Sequence, residues 1–384
     1  MLTWINFLNN DNGDIENQKE QKCEMKTKRL VITTIAFISI THVAAQDSSK
    51  TSLVLSGYTE AYYAYDFNKP VDNNRPYFLY SHNRHNEFNV NLAFFKASYN
   101  ADRVRGSVAV GVGTYMNANY AAESGVLKNI FEANAGVKLS RNRNLWLDLG
   151  ILPSHIGFES AISKDCWTLT RSIVSENTPY FESGARLTYT SNSGKITVAA
   201  LALNGWQRIT RVSGNSLMSW GTQIYLKPSD KLIFNYSTFL GTDKPDSTRL
   251  WRIYHNLYAI IQFNEKIGIT AGFDIGTEQV SKGSSEVNTW YAPVGILRFT
   301  PNDNWAFAVR GEYFNDENGV IITTGTVNGF KTSGFSFNVD RRITEHFLCR
   351  IEFRNFNSKD EIFIKGDQAQ NTNAAITTSF ALSF

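Results

Sequence analysis

Past residue 50 the chain repeats one pattern: runs of ten to fourteen residues in which apolar and polar side chains alternate, each bounded by turn residues. A period of two puts every apolar side chain of a run on one face of a β-strand. Residues 344–356 set Phe347, Cys349, Ile351 and Phe353 against Leu348, Arg350, Glu352 and Arg354. The last run sets Ile376, Thr378, Phe380, Leu382 and Phe384 against Thr377, Ser379, Ala381 and Ser383. Between Trp305 and Phe314 the apolar set is Trp305, Phe307, Val309 and Tyr313, opposite Arg310 and Glu312. Residues 267–276 set Ile267, Ile269, Ala271, Phe273 and Ile275 against Gly268, Thr270, Gly272, Asp274 and Gly276. No run shows sustained helical periodicity, and none past Ala45 has eighteen consecutive apolar residues.

The pattern predicts sixteen strands, near 52–66, 86–100, 103–115, 128–140, 144–152, 180–190, 195–205, 216–227, 230–241, 249–263, 265–277, 287–299, 303–314, 328–340, 343–356 and 373–384. Every second connection is tight, as at Asn100-Ala101-Asp102, Arg141-Asn142-Arg143 and Pro228-Ser229, and the others are mostly longer, the largest being 67–85, 116–127, 153–179 and 357–372. Pro70, Pro76, Pro153, Pro179, Pro228, Pro245 and Pro301 fall in connections, while Pro293 falls inside a strand and calls for a bulge or a different boundary there. Residues 195–205 are apolar on both faces, and Lys96 disturbs the phase of the second strand.

Alternation alone also suits a soluble β-sandwich. Short turns on one rim and long loops on the other, with an even count, suit a transmembrane antiparallel up-and-down β-barrel. The expected fold is therefore all-β, a barrel of about 16 strands (14–18), wide enough for an aqueous channel. Composition agrees. Charged residues make up 19% of the 384 and aromatics 13%, while mean hydropathy stays negative, which does not fit a helical membrane protein. With 38 Lys+Arg against 35 Asp+Glu and no dense basic block, no nucleic-acid partner is expected.

From Met25, Lys26, Lys28 and Arg29 precede an apolar run Leu30–Ile40, followed by Val43-Ala44-Ala45. These are the three parts of a secretory signal, and about eleven apolar residues are too few to span a bilayer, which takes ~20. We expect a non-translated or leader extension over 1–24 with translation starting at Met25, a signal peptide over 25–45 cut after Ala45, and a single barrel over 46–384. Cys23 falls in the leader; Cys166 and Cys349 are far apart, and no Cys/His cluster points to zinc.

One block carries a resemblance. Gly150-Ile151-Leu152-Pro153-Ser154-His155-Ile156-Gly157-Phe158-Glu159-Ser160 is followed by Trp167-Thr168-Leu169-Thr170-Arg171-Ser172, then by Glu176-Asn177-Thr178-Pro179-Tyr180-Phe181-Glu182-Ser183-Gly184 and Leu203-Asn204-Gly205-Trp206. It resembles the OmpL-like β-barrel porin family of outer-membrane proteins, over roughly residues 52–384. The resemblance implies a porin-like barrel with no catalytic residues to carry over.

The expected pore lining is Lys138, Asp148, Arg186, Asp274, Arg310, Glu312, Arg350, Glu352 and Arg354, with Glu132 and Glu182 on the same face. Of these, Arg310/Glu312 and Arg350/Glu352/Arg354 are the strongest candidates for an internal ring of mixed sign that sets ion preference. The 153–179 loop, with Trp167, Arg171 and Glu176, is expected to fold inward as a constriction. Arg105, Arg141, Arg143, Arg341 and Arg342 are expected at or near the short-turn rim. His82 and His85 lack further metal ligands, and His155 beside Ser154 or Ser160 is the one local pairing of a catalytic kind, so neither enzyme activity, metal nor cofactor is expected. Phe384 resembles the terminal aromatic read by the barrel assembly machinery. The expected function is passive diffusion of small hydrophilic solutes or ions across the outer membrane, among its lipids. A plugged barrel that binds or adheres through long external loops is the competing expectation. Sixteen-stranded porins are often trimers, which makes a homotrimer an assembly to test.

Overall fold

The structure, a computed structural model, describes residues 51–384; the expected leader, its cut after Ala45 and Cys23 lie outside the described residues. Alternation in sequence becomes alternation in exposure. Along β14 (Phe330–Arg342) and β15 (Phe347–Ser358), Phe335, Phe337, Ile351 and Phe353 point outward, while Ser336, Asn338, Arg350, Glu352 and Arg354 are buried inside. A single sheet with an apolar outside and a polar inside has to close, because each bare N–H or C=O at an edge in hydrocarbon would cost several kcal/mol.

It closes through sixteen antiparallel strands. In chain order they begin with β1 (Ser52–Asp66), β2 (Phe88–Asn100), β3 (Val104–Val112), β4 (Ile130–Lys138), β5 (Asn144–Pro153), β6 (Phe181–Thr190), β7 (Ile196–Leu203) and β8 (Ser219–Ser229). The series continues with β9 (Leu232–Gly241), β10 (Arg252–Gln262), β11 (Ile267–Gln279), β12 (Val287–Asn302), β13 (Trp305–Asp316), β14 and β15. A small hairpin of β16 (Phe363–Lys365) and β17 (Gln368–Gln370) precedes β18 (Thr372–Ser383), which pairs with both β15 and β1. That hairpin inside the 357–372 connection is absent from the sequence expectation. Neighbours in sequence are neighbours in the wall, and β1 meets β18 from Tyr58 opposite Ser383 to Asp66 opposite Ala375. The Phe384 backbone extends this seam by exchanging hydrogen bonds with Gly57 at 2.8 and 3.0 Å, and its ring lies over Gly57, where no side chain competes for the space.

Several expectations on strand detail are corrected. Pro293 stays in β12 without a bulge: it faces Phe273 of β11, while the ladder to β13 skips Ala292 and Pro293 and keeps its register, so the missing N–H falls on that side. Pro153, Pro228 and Pro301 lie at strand ends rather than beyond them, and the registers of β8 and β12 shift at Pro228 and Pro301, where a bulge removes the need for a ladder donor. Lys96 is in phase; the irregularity is a bulge at Asn91, because Val90 pairs with Ala61 while Leu92 pairs with Glu60. The doubly apolar β7 is explained by what lies inside. Its inward Ala199, Leu201 and Leu203 join Phe78, Ile156, Phe239 and Tyr254 in an apolar cluster between the wall and the loops folded within it.

Where β5 and β6 run together, Gly150 pairs with Gly184. Gly150 has φ +128°, and a Cβ there would lie 2.2 Å from the Ala133 carbonyl oxygen. We expect Gly150→Val to destabilise the barrel by roughly 1–3 kcal/mol. Heat-modifiable gel mobility checks this through a lower conversion temperature of the folded band, and an unchanged temperature would contradict it.

Candidate functional site

The connection from β5 to β6 does not project from the rim. It carries Ile156, Phe158, Ile162, Trp167, Leu169, Ile173 and Val174, too apolar a set to stand in water, and it crosses the inside of the barrel. Inward glycines of the wall receive it. A Cβ at Gly221 would meet the His155 ring at 2.7 Å, one at Gly272 would meet Phe158 at 2.6 Å, and one at Gly268 would meet Trp167 at 2.9 Å. Polar contacts fix each end. His155 lies between Glu182 and the Thr238 carbonyl, Gly157 N donates to Asn256 at 3.1 Å, and Lys164 reaches the Ser383 hydroxyl.

On the far wall the loop meets the charges of β13, β14 and β15. Arg310 donates to the Thr168 hydroxyl (2.9 Å), the Thr170 carbonyl (2.6 Å) and Glu352 (2.8 Å), and Glu352 also accepts from the Thr170 backbone N at 2.6 Å. Glu312 binds Arg354 at 2.7 Å and accepts from the Ile173 N at 2.6 Å. Arg350 forks onto Asp340 at 2.8 and 2.9 Å and donates to the carbonyls of Ser163 and Cys166. Cross-strand order makes this possible, since Ser336 separates Arg310 from Arg354 in one row and leaves room for both guanidiniums.

The expected ring is therefore corrected. Arg310, Glu312, Arg350, Glu352 and Arg354 point inward but are buried, and they anchor a loop rather than face water. Asp274 is also buried, bonded to the Tyr254 hydroxyl and to Asn256 Nδ2. The physical reason is that the loop occupies their side of the lumen. Two expected constriction residues turn inside the loop as well. Arg171 donates to the carbonyls of Ser160, Leu169 and Ala161 at 2.6, 2.6 and 2.7 Å, which holds the loop's own fold. Glu176 accepts from the backbone N of Tyr80 and Ser81 at 2.9 and 3.0 Å, tying in the 67–87 connection, and its burial raises its pKa. Trp167 packs on the wall beneath the Arg298 guanidinium.

The opposite wall is less covered. On β2 to β6, Lys96 meets Glu132 at 2.5 Å across Ala109, and Arg105 forks onto Asp148 at 2.7 and 2.6 Å across Gly136. Arg105 lies next to the short-turn rim as expected, as the second residue of β3, and its side chain points into the lumen. Lys96 and Arg105 keep 28% and 33% of their side chains exposed, and Arg186 and Lys138 on the same wall are also partly exposed, which the far-wall charges are not.

A family model described as "Putative beta-barrel porin-2, OmpL-like" matches residues 52–384. The chain belongs to this family of β-barrel porins. Its fold is similar to that of solved outer-membrane barrels: an anion-selective porin from Comamonas acidovorans (TM-score 0.57, 9% identity, 87% of this chain and 100% of that one), OmpT of Vibrio cholerae in a trimer form (0.58, 10%, 87% and 99%) and the channel DcaP of Acinetobacter baumannii (0.56, 10%, 88% and 99%). At such identities the likeness concerns the fold. Among curated proteins, no sequence matches the chain.

Within this porin barrel the remaining candidate groups have structural partners. His82 Nε2 lies 3.2 Å from Glu60, while His85 Nδ1 accepts from the Asp66 backbone N at 2.8 Å, so the two imidazoles serve different contacts. Cys166 and Cys349 are unpaired, the first buried in the loop with its thiol pushed up to about 11 by burial, the second on the wall. His155 turns neither nitrogen to a serine: Nδ1 is 2.8 Å from Glu182 and Nε2 2.9 Å from the Thr238 oxygen. Two acceptors call for two donors, so this ring binds as imidazolium. Burial pulls its pKa down, but the adjacent Glu182 and the two hydrogen bonds leave it above the ordinary 6.5.

Two outcomes follow from these anchors. Glu352→Ala leaves Arg310 buried beside fewer carboxylates and should cost about 3–5 kcal/mol, read as faster proteolysis within 153–179 and an earlier thermal transition. Because the pKa of His155 is raised on folding, its contribution is full below the ordinary 6.5 and is lost as pH rises through the folded value. The thermal midpoint should fall over that alkaline window, and His155→Gln should flatten the fall; equal slopes in both proteins would refute the assignment.

Proposed function

We propose that this porin-family barrel lets small hydrophilic solutes or ions diffuse passively across the outer membrane, through the part of the lumen that the 153–179 loop leaves uncovered. One observation carries the reading: the loop is fastened to β13–β15, whereas the inward cations Lys96, Arg105, Lys138 and Arg186 on β2–β6 stay partly exposed within the closed wall. The loop is then the constriction, acting through its bulk and its anchors. Its Trp167 packs on the wall, and Arg171 and Glu176 set its shape. Polar hollows lie on both sides of it. One of about 290 Å³ is lined by Tyr80, Glu176, Gln207, Arg208 and Arg252 toward the long loops, and one of about 430 Å³ is lined by Lys164, Asp165, Arg298 and Arg342 toward the short turns.

The partners in this reading are outer-membrane lipids on the apolar face, the assembly machinery at the outward, 67% exposed Phe384, and two further copies in a homotrimer. Protein reconstituted in planar bilayers tests it. Discrete conductance steps are expected, and replacing 160–175 by a short Gly-Ser link should enlarge them about two-fold or more, since a wider aqueous section conducts more. Absence of steps would favour a plugged binding barrel, and steps of unaltered size would reject the loop as the constriction.

A further inference from the structure

The uncovered wall is not neutral. Its inward charges are Lys96, Arg105, Lys138 and Arg186 against Glu132, Asp148 and Glu182. All three carboxylates are already engaged, Glu132 by Lys96, Asp148 by two donors of Arg105 and Glu182 by His155. Among the described residues, Lys138 and Arg186 have no carboxylate within ion-pair distance, although Arg186 sits opposite Asp148 in the ladder. The one hydrogen bond of the Arg186 guanidinium is a long contact of 3.5 Å to the Pro153 carbonyl, which leaves most of its N–H groups without a protein acceptor.

Elsewhere inside, the wall cations that meet the loop lie against carboxylates. Arg310 and Arg354 lie against Glu352 and Glu312, Arg350 against Asp340, and His155 against Glu182. The hollow toward the short turns mixes Lys164, Arg298 and Arg342 with Asp165, Asp303 and Glu345. The one toward the long loops mixes Arg208 and Arg252 with Glu176 and Asp243. On the β2–β6 wall, by contrast, Lys138 and Arg186 are partly exposed cations without such a partner. Like charges along a narrow aqueous path with low-dielectric sides raise the local concentration of counter-ions.

We propose that the passage prefers small anions, inorganic or carboxylate, over cations, and that Arg186 and Lys138 set this preference. The inference rests on the pore reading above. Small residues between the paired charges, Ala109 and Gly136, let Glu132 and Asp148 each be neutralised across an intervening strand, so the two remaining cations keep their field. Screening acts within about 10 Å at 0.1 M salt, so the preference should strengthen as salt is lowered.

The test is the reversal potential of the full reconstituted protein across a KCl gradient. The native chain should favour chloride, more so in dilute salt. Arg186→Gln and Lys138→Gln should each lower the chloride-to-potassium permeability ratio about two-fold, as expected for removing one solvated charge several ångströms from the ion path, and Arg186→Lys should keep it. The double change Arg186→Glu with Lys138→Glu should turn the preference toward potassium, with heat-modifiable mobility confirming folded protein. Potassium preference in the native chain, or a ratio unmoved by the charge changes, would overturn the anion inference while leaving the pore intact. Absence of any conductance in the native protein would overturn the pore reading and this inference together.

Discussion

Hydrocarbon offers no partner to a backbone N–H or C=O, so every strand of this chain must be paired on both sides. The seam between β1 and β18 is where that requirement is met last, because it joins the two ends of the described chain rather than neighbours in sequence. Its register places the inward Glu60 opposite Ala381 and lets the Phe384 ring lie over Gly57. Once the seam closes, the inside becomes a confined space whose walls are polar, and what fills it decides what the protein can do.

The filling is the chain's own. The 153–179 connection brings apolar side chains into the lumen, which leaves buried backbone donors and carbonyls that water would otherwise satisfy. Wall residues satisfy them instead: Glu352 takes the Thr170 N, Glu312 the Ile173 N, and Asn338 the Leu169 N. Carboxylates buried in this way would be costly without cations, and Arg310, Arg350 and Arg354 supply these at ion-pair distance. The charge cluster on β13–β15 is therefore a docking surface for a loop. The opposite wall is covered in part, where Leu92, Phe131, Ile151 and Phe181 pack with Tyr115, Tyr120 and the loop's Ala161 and Ile162, and Lys96 and Arg105 beyond that cluster stay partly exposed. Glu60 joins the same scheme at the seam, accepting from Ser163 of the loop and Asn91 of the β2 bulge, with His82 Nε2 of the first long connection 3.2 Å away.

Much of the wall was legible in the sequence, because strand pairing and lipid contact act on each residue's immediate surroundings. Phe335, Phe337, Ile351 and Phe353 had to face outward once alternation was recognised, and the short turns had to share one rim. The site was less legible. Arg310 and Glu352 were recognisable as inward charges, but whether an inward charge meets water or protein depends on a segment some 140 residues away, Thr170 in the case of Arg310. The position of Arg105 near the short-turn rim was legible, but its reach across Gly136 to Asp148 was not, because that depends on three-strand register. Inward glycines were the overlooked signal: Gly268 and Gly272 sat in plain view on the polar face of one strand, and each marks space taken by a side chain of the loop.

The sequence by itself indicated about sixteen wall strands and their approximate spans, the face each presents to lipid, the rim that carries the long connections and the inward charges, since all of these follow from period-two alternation and turn chemistry. Tertiary structure alone decided how those charges are used. It assigned the cluster on β13–β15 to the loop, joined Lys96 to Glu132 and Arg105 to Asp148 across intervening strands, and left Arg186 and Lys138 without a carboxylate partner. The reason is physical: pairing and burial of a charge depend on distances across a closed sheet and on what the loops displace, and neither quantity exists until the barrel has closed around them.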